Sequence, residues 1–213
     1  MIFVTAIHGD EPTPVFALAK NKIDQFVAHP RALSRQIRFI DSDLNASFKA
    51  GNNNFESKLA RQILKKIPVN QTIVDFHSTS ALGPPFAIVV DPKMIKLAQI
   101  TGLKHVVYMK FNIKKGCSLI DRRSGISIET GPKKSYKSYQ NTLNIIGHLK
   151  KPRPQFIKIY TVYGLIKKPD HYINFKKHRR GFCPLFTGET SYNFYGLKSR
   201  LDHDLMLKFN QNL

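Results

Sequence analysis

The opening of the chain places a short apolar strand directly before a histidine and a carboxylate. Residues 2–7 are apolar and mostly β-branched, which is typical of a buried strand. His8, Gly9 and, after one residue, Glu11 follow it. Because ligands in α/β sheets bind beyond the carboxyl ends of the strands, His8 and Glu11 leave the strand where sites are commonly built. Gly9 allows a sharp turn, so imidazole and carboxylate can converge on one point.

These residues alone leave two interpretations open. A catalytic zinc site needs two histidines, one carboxylate and an open position for water, and His8 and Glu11 would supply two of the three ligands. In the other interpretation, His8 makes ordinary hydrogen bonds at the strand end and Glu11 begins the next helix.

Strand-like and helix-like segments alternate along the first 150 residues. Apolar runs predict further strands at residues 36–40, 72–76, 86–90, 104–109 and 126–130. Helical spacing of apolar residues is present between them, at residues 15–27, 59–67, 93–99 and 135–149. The alternation predicts an α/β fold with a predominantly parallel or mixed sheet flanked by helices.

The pattern changes after a Lys/Pro-rich linker at residues 150–154. Residues 156–163 are strand-like, and no long helical stripe follows before Leu197. We therefore expect a catalytic α/β domain at residues 1–150. Residues 151–213 are expected to form a small β-rich C-terminal subdomain that contributes to the pocket and ends in a short helix.

The amino-acid composition is that of a globular protein without a disulfide scaffold. The 213 residues are 42% hydrophobic and 23% charged, as in globular proteins. Two cysteines, Cys117 and Cys183, argue against a disulfide scaffold. No apolar run is long enough to span a membrane, so we expect a cytoplasmic protein without a membrane partner.

The net charge of +20 raises the question of a nucleic-acid partner. The basic residues are mostly scattered as doublets, however, and the densest cluster, at residues 176–180, carries no recognised nucleic-acid-binding signature. A solvated basic surface that attracts small anionic substrates is the preferred interpretation, with no specific nucleic acid expected.

Two further strands also end in chemically active residues. His77 follows the strand at 72–76, and Glu129 lies in the strand at 126–130. Taken individually, His77 could be only a polar residue at the end of a strand, and Glu129 could be only a member of a surface ion pair. Together with His8 and Glu11 they favour a zinc site assembled at neighbouring strand ends, with Glu129 as a proton-transferring carboxylate.

Five blocks of the sequence can be compared with the motifs of a known family. They are residues 8–11 (HGDE), 38–46 (RFIDSDLNA), 75–79 (DFHST), 126–132 (ISIETGP) and 184–192 (PLFTGETSY). In this order they resemble the aspartoacylase and succinylglutamate desuccinylase family, relatives of the zinc carboxypeptidases. The resemblance implies a zinc-carboxypeptidase-like fold and one Zn²⁺ per chain.

The resemblance also implies a role for each residue. His8, Glu11 and His77 would hold the metal, which activates a water to attack the acyl carbonyl. Glu129 would act as general base and then acid, and Arg38 would stabilise the oxyanion. Asn45 and Tyr192 would bind a substrate carboxylate, while Asp43 and Asp75 would orient other site residues or only make local turn bonds.

One departure concerns the substrate. Where the family has a second arginine, this chain has Ala46, and a methyl group cannot replace a bidentate cation. Arg122 or Arg123 is expected as the substitute.

Three functions follow from these observations. The leading prediction is a zinc-dependent hydrolase that cleaves the amide bond of an N-acyl amino acid. The alternatives are a carboxypeptidase-like or ester-cleaving zinc hydrolase and an inactive, basic nucleic-acid-binding protein on the same fold. The acyl group, the amino acid and the oligomeric state stay open.

Overall fold

The computed structural model describes residues 1–49, 51 and 53–211. Its strands are β1 (Ile2–Thr5), β2 (Phe26–Val27), β3 (Ile73–Thr79), β4 (Phe86–Val89), β5 (His105–Tyr108), β6 (Gly125–Pro132), β7 (Lys158–Ile166), β8 (Cys183–Leu185) and β9 (Gly196–Leu201). Within the described residues they form one nine-stranded sheet in the order β2-β1-β3-β6-β4-β5-β7-β9-β8.

The sheet is mixed. β2, β1, β3 and β6 are parallel neighbours, so their carboxyl ends lie at one edge. β4 runs antiparallel to β6, and β5 and β7 are parallel to β4. β9 and β8 complete the sheet as antiparallel strands. The predicted α/β fold class with a mixed sheet flanked by helices is confirmed.

Helices cover both faces of the sheet: α1 (Pro12–Lys20), α2 (Pro30–Arg35), α3 (Phe55–Lys66), α4 (Ile95–Gln99), α5 (Leu119–Arg122), α6 (Tyr136–Lys150) and α7 (His203–Asn210). Two apolar clusters form the core. One includes Ile63 of α3 and Leu119 of α5, and the other includes Leu18 of α1 and Ile145 of α6. Among the described residues, no helix has the length and apolar character needed to cross a membrane.

Strand alternation separates the polar residues of the central strands from one apolar cluster. In β3, Val74 and Phe76 belong to the cluster that includes α1 and α6, so Asp75 and His77 project from the opposite face. In β6, Ile126 and Ile128 join the same cluster, so Ser127 and Glu129 share the face of Asp75 and His77. All four residues are buried. This face therefore carries the candidate site.

The C-terminal strands continue the same sheet. β7, which follows the predicted linker, pairs with β5 from His105–Lys158 to Tyr108–Thr161. The short helix α7 closes the described chain. The division into units at residues 1–150 and 151–213 stays a prediction.

Two predicted elements differ from the structure. The first helix ends at Lys20, before residue 27, because Lys22 adopts a left-handed conformation and residues 26–27 form β2. No strand forms at residues 36–40. There, the backbone N–H groups of Ile40, Asp41 and Ser42 donate to the buried carboxylate of Glu56 at 2.6–3.2 Å. A side chain of α3 thus satisfies donors that a strand would direct to a neighbouring strand.

Candidate metal centre and pocket

The side chains of His8, Glu11 and His77 meet at the carboxyl ends of β1 and β3. His8 Nδ1 lies 2.8 Å from Glu11 Oε1, and His77 Nδ1 lies 3.2 Å from Glu11 Oε2. One possible ligand atom from each residue lies within 4.8 Å of the others, and all three residues are buried. The structure therefore brings together the three residues that the sequence predicts as metal ligands.

Contact with the neighbouring segments fixes the turn after β1. A Cβ on Gly9 would lie 2.1 Å from the carbonyl carbon of Ala32, so only glycine fits there. The Gly9 N–H donates to the carbonyl oxygen of Arg38 at 3.2 Å. These contacts hold His8 and Glu11 next to the segment that carries Arg38.

Each histidine contacts a carboxylate through its other ring nitrogen. His8 Nε2 lies 3.0 Å from Asp43 Oδ1, and His77 Nε2 lies 2.7 Å from Asp75 Oδ2. Asp43 and Asp75 thus accept the protons of the two Nε2 atoms, and Nδ1 of each ring faces Glu11. Metal-bound histidines commonly donate their outer N–H to a carboxylate in this way.

Glu11 and His77 each shift the pKa of the other. Although burial acts to raise it, the pKa of Glu11 is held well below its usual range by His8 and His77. Burial likewise acts to lower the pKa of His77, but Asp75 and then Glu11 raise it well above its usual value. Glu11 thus stays ionised against two imidazoles, and two imidazoles with one carboxylate are the donor set of a catalytic zinc site. The residues present fit zinc.

Glu129 lies beside the three candidate metal ligands His8, Glu11 and His77, named here the metal-ligand set. It is the register partner of His77 across β3 and β6 and lines the same pocket. Its Oε2 is buried and has no hydrogen-bond partner among the described residues. Burial raises the pKa of Glu129 to about 7. The charge of His77 acts to lower this pKa, whereas the charge of Glu11 acts to raise it further. A carboxyl group that titrates near neutrality can both accept and return a proton.

Arg38 approaches the centre from the segment held by Glu56. Its guanidinium lies 3.4 Å from Glu11 Oε1 and 3.5 Å from Asp43 Oδ2. The side chain is 18% exposed and lines the pocket.

The pocket has a polar and an apolar part. Asn45 and Tyr192, the predicted carboxylate-binding residues, both line it together with the metal-ligand set. The apolar part, named here the apolar wall, consists of Ile88, Val90, Met109, Ile113, Ile120 and Phe186. The cavity can therefore receive a molecule with one polar end and one apolar group.

Glu189 ties the C-terminal segment to the end of β3. Its carboxylate accepts hydrogen bonds from Thr79 Oγ1 at 2.6 Å, the Ser80 N–H at 2.9 Å and Ser191 Oγ at 2.6 Å. Although burial opposes them, hydrogen bonds from Ser191, Thr79 and Ser80 lower the pKa of Glu189 to about 2. Glu189 lies in the last of the five blocks but was not among the predicted site residues.

The structure does not bring Arg122 and Arg123 to the pocket. Arg122 Nε donates to the Phe48 carbonyl at 3.2 Å, and Arg123 Nε donates to the Ile67 carbonyl at 2.9 Å. A further bond joins Arg123 to the Leu64 carbonyl. These backbone acceptors at the ends of neighbouring segments hold both guanidinium groups away from the metal-ligand set.

Lys114 is a second cation, besides Arg38, that lines the pocket, and it was not among the predicted site residues. Its Nζ lies 2.9 Å from Asp43 Oδ2 and 5.2 Å from the ring centroid of Tyr192. In the sequence, Lys114 and Lys115 form one basic doublet among several, and nothing local distinguishes the first lysine from the others.

Comparison with known proteins gives one curated relative and several structures of similar fold. No family model matches the chain. The probable aspartoacylase of Prochlorococcus marinus (strain MIT 9515) is 29% identical across 38% of this chain and 34% of that protein. The match thus spans about a third of the length of that curated relative.

Solved structures of similar fold cover nearly the whole chain. Murine aminoacylase 3 matches with a TM-score of 0.70 and 18% identity over 93% of this chain and 94% of that one. Succinylglutamate desuccinylase of Chromobacterium violaceum matches with a TM-score of 0.67 and 13% identity over 94% and 84%. The structural matches show the fold, and with the curated match they confirm the predicted resemblance to the aspartoacylase and succinylglutamate desuccinylase family.

Proposed function

We propose that this chain, which has the fold and site motifs of the aspartoacylase and succinylglutamate desuccinylase family, is a zinc-dependent deacylase of N-acyl amino acids. One observation carries the proposal. The buried set of His8, Glu11 and His77, with a carboxylate behind each imidazole, shares its cavity with Glu129, whose Oε2 has no hydrogen-bond partner in the described part of the chain.

His8 and His77 would bind zinc through Nδ1, and Glu11 through its carboxylate. Bound zinc would supply Lewis-acid polarisation of the acyl carbonyl and a water of lowered pKa. Asp43 and Asp75 would keep the two imidazole rings oriented, since each accepts the Nε2 proton.

Glu129 would transfer the proton that the reaction requires. It takes a proton from the attacking water as the new carbon–oxygen bond forms, and returns it to the amine nitrogen as the carbon–nitrogen bond breaks. The products are a carboxylate and an amino acid. The raised pKa and the burial of Glu129 support this role.

Arg38 would stabilise the negative charge that develops on the acyl oxygen. Glu11 and Asp43 hold its guanidinium in place before substrate binds, so little reorganisation is needed during the reaction. Asn45 and Tyr192 would contact the substrate carboxylate. The apolar wall supports a substrate with a neutral, apolar side chain or acyl group.

A substrate panel tests the proposal. We expect the zinc-loaded protein to hydrolyse N-acetyl amino acids with apolar side chains, and a chelator to abolish the activity. Ester and C-terminal peptide substrates in the same panel distinguish a deacylase from the other zinc hydrolases. Absence of chelator-sensitive amide hydrolysis across the panel would contradict the proposed function.

A further inference from the structure

Position 46, where the family that this chain resembles has a second arginine, is an alanine in this chain and offers no cation. Ala46 ends the 3₁₀ turn Leu44–Ala46 and is exposed. Arg122 and Arg123 donate to backbone carbonyls instead of facing the pocket. Among the described residues that line the pocket, the cations other than the histidines are Arg38 and Lys114.

Lys114 reaches the pocket on a loop at residues 112–117 that is anchored by its own hydrogen bonds. The Lys114 N–H donates to Asn112 Oδ1 at 2.9 Å, and Asn112 Nδ2 donates to Asp121 Oδ1 at 2.7 Å. The carbonyl of Lys114 accepts the Cys117 N–H at 2.9 Å. The side chain of Lys114 is 14% exposed, so its ammonium is largely withdrawn from solvent.

The 112–117 loop contacts the same sequence block that lacks the arginine. The Phe48 N–H donates to the carbonyl of Cys117 at 3.0 Å. Asn45 Oδ1 accepts the Leu119 N–H at 3.3 Å, just beyond the loop. Because the amide oxygen of Asn45 is engaged, its NH₂ group is the end available to an anion in the pocket. Loop and block therefore bring Lys114 and Asn45 to one cavity.

The contacts of Lys114 leave capacity for a ligand. An ammonium group has three donors, and the bond to Asp43 Oδ2 uses one of them. The ring of Tyr192 lies beside the ammonium and limits the directions open to it. An incoming carboxylate can accept a hydrogen bond from Lys114 while Asp43 keeps its own.

We propose that Lys114 is a specificity-determining residue that binds the substrate carboxylate in place of the arginine missing at position 46. The inference rests on the proposed function and narrows the substrate class. With one lysine for the carboxylate and the apolar wall in the same cavity, the preferred substrate is an N-acyl amino acid with a single carboxylate and an apolar side chain.

The test compares N-acetylphenylalanine with its carboxamide, which lacks the carboxylate charge. Lys114→Met should lower the ratio of kcat/KM for the acid to that for the amide by about tenfold or more, the effect of losing one charge-assisted hydrogen bond. Lys114→Arg should keep most of the ratio. Lys115→Met removes the same charge from the exposed neighbouring residue and should leave the ratio unchanged.

An equal loss of kcat on both substrates in Lys114→Met, with the ratio unchanged, would overturn the inference and leave Lys114 as a partner of Asp43 only. Calorimetric binding of N-acetylphenylalanine separates this inference from the proposed function. If the wild type binds the acid but hydrolyses neither compound, the proposed function fails. In that case weaker binding by Lys114→Met than by Lys115→Met supports Lys114, and equal binding refutes it.

Discussion

His77 Nε2 lies 2.7 Å from Asp75 Oδ2, two residues earlier on the same strand. Because residues i and i+2 of a strand project from one face, β3 supplies both a candidate metal ligand, His77, and the carboxylate that orients its ring. The acceptor for His8 instead comes from Asp43, 35 residues along the chain. The two imidazoles are thus aligned by independent segments, and Glu11 joins them.

Removing either histidine should remove the metal. His8→Ala and His77→Ala each leave two protein ligands, which rarely hold zinc. We expect elemental analysis to find about one zinc per wild-type chain and little in either variant. Cys117→Ser serves as the control and should retain the metal, since Cys117 lies outside the ligand set. A full zinc complement in either histidine variant would refute the assigned ligands.

Glu129→Gln should separate metal binding from turnover. The substitution keeps the shape of the side chain but removes the group that carries the proton, so kcat should fall roughly a hundred- to ten-thousand-fold. Zinc content should equal that of the wild type, because Glu129 lies outside the ligand set. A near-wild-type rate at saturating substrate would assign the proton transfer to another residue.

The site residues that lie at the ends of predicted strands could be identified from the sequence. His8, His77 and Glu129 each lie at the end of an apolar run, and parallel strands bring such ends to one edge. Glu56 and Lys114 act through contacts distant in sequence, 16 residues from Ile40 and 71 residues from Asp43. No local pattern marks such partners, and the Glu56 contact engages the N–H group of Ile40 at the end of the predicted 36–40 strand.

The Glu56 carboxylate should stabilise the fold in a pH-dependent manner. Burial acts to raise its pKa, but hydrogen bonds from His29 and from the backbone N–H groups of Ile40, Ser42 and Asp41 lower it below its ordinary value of 4.5. A lowered folded-state pKa contributes stability that is present above the unfolded value and is lost as the pH falls through the folded value.

We therefore expect Glu56→Gln to lower the free energy of unfolding by about 1–3 kcal/mol near pH 7. The difference from wild type should shrink at about pH 3.5. Urea unfolding at the two pH values measures it, with the exposed Asp24→Asn as the control. A constant difference at both pH values would show that the charge of Glu56 contributes nothing.

The substrate preference should change when a cation is restored at position 46. We expect weak activity on N-acetylaspartate, because with Arg38 at the acyl oxygen, Lys114 is the one cation left for two carboxylates among the described residues that line the pocket, the histidines aside. Ala46→Arg should raise kcat/KM for N-acetylaspartate relative to N-acetylphenylalanine, by about tenfold if one charge-assisted bond forms. Steady-state kinetics on both substrates measures the change.

Arg122→Ala and Arg123→Ala provide the comparison for that experiment. Since both guanidinium groups donate to backbone carbonyls, these variants should lower stability but leave the ratio of the two kcat/KM values unaltered. A strong wild-type preference for N-acetylaspartate that disappears in Arg122→Ala would contradict the described pocket.

The most direct test follows the hydrolysis of N-acetylphenylalanine while zinc is added to the metal-free protein. The wild-type rate should rise and level off at about one zinc per chain, as expected for a single site of two histidines and one carboxylate. Glu129→Gln should take up the same zinc without gaining activity. A rate that does not depend on zinc, or an equal rise in Glu129→Gln, would contradict a zinc-dependent deacylase with Glu129 as its proton carrier.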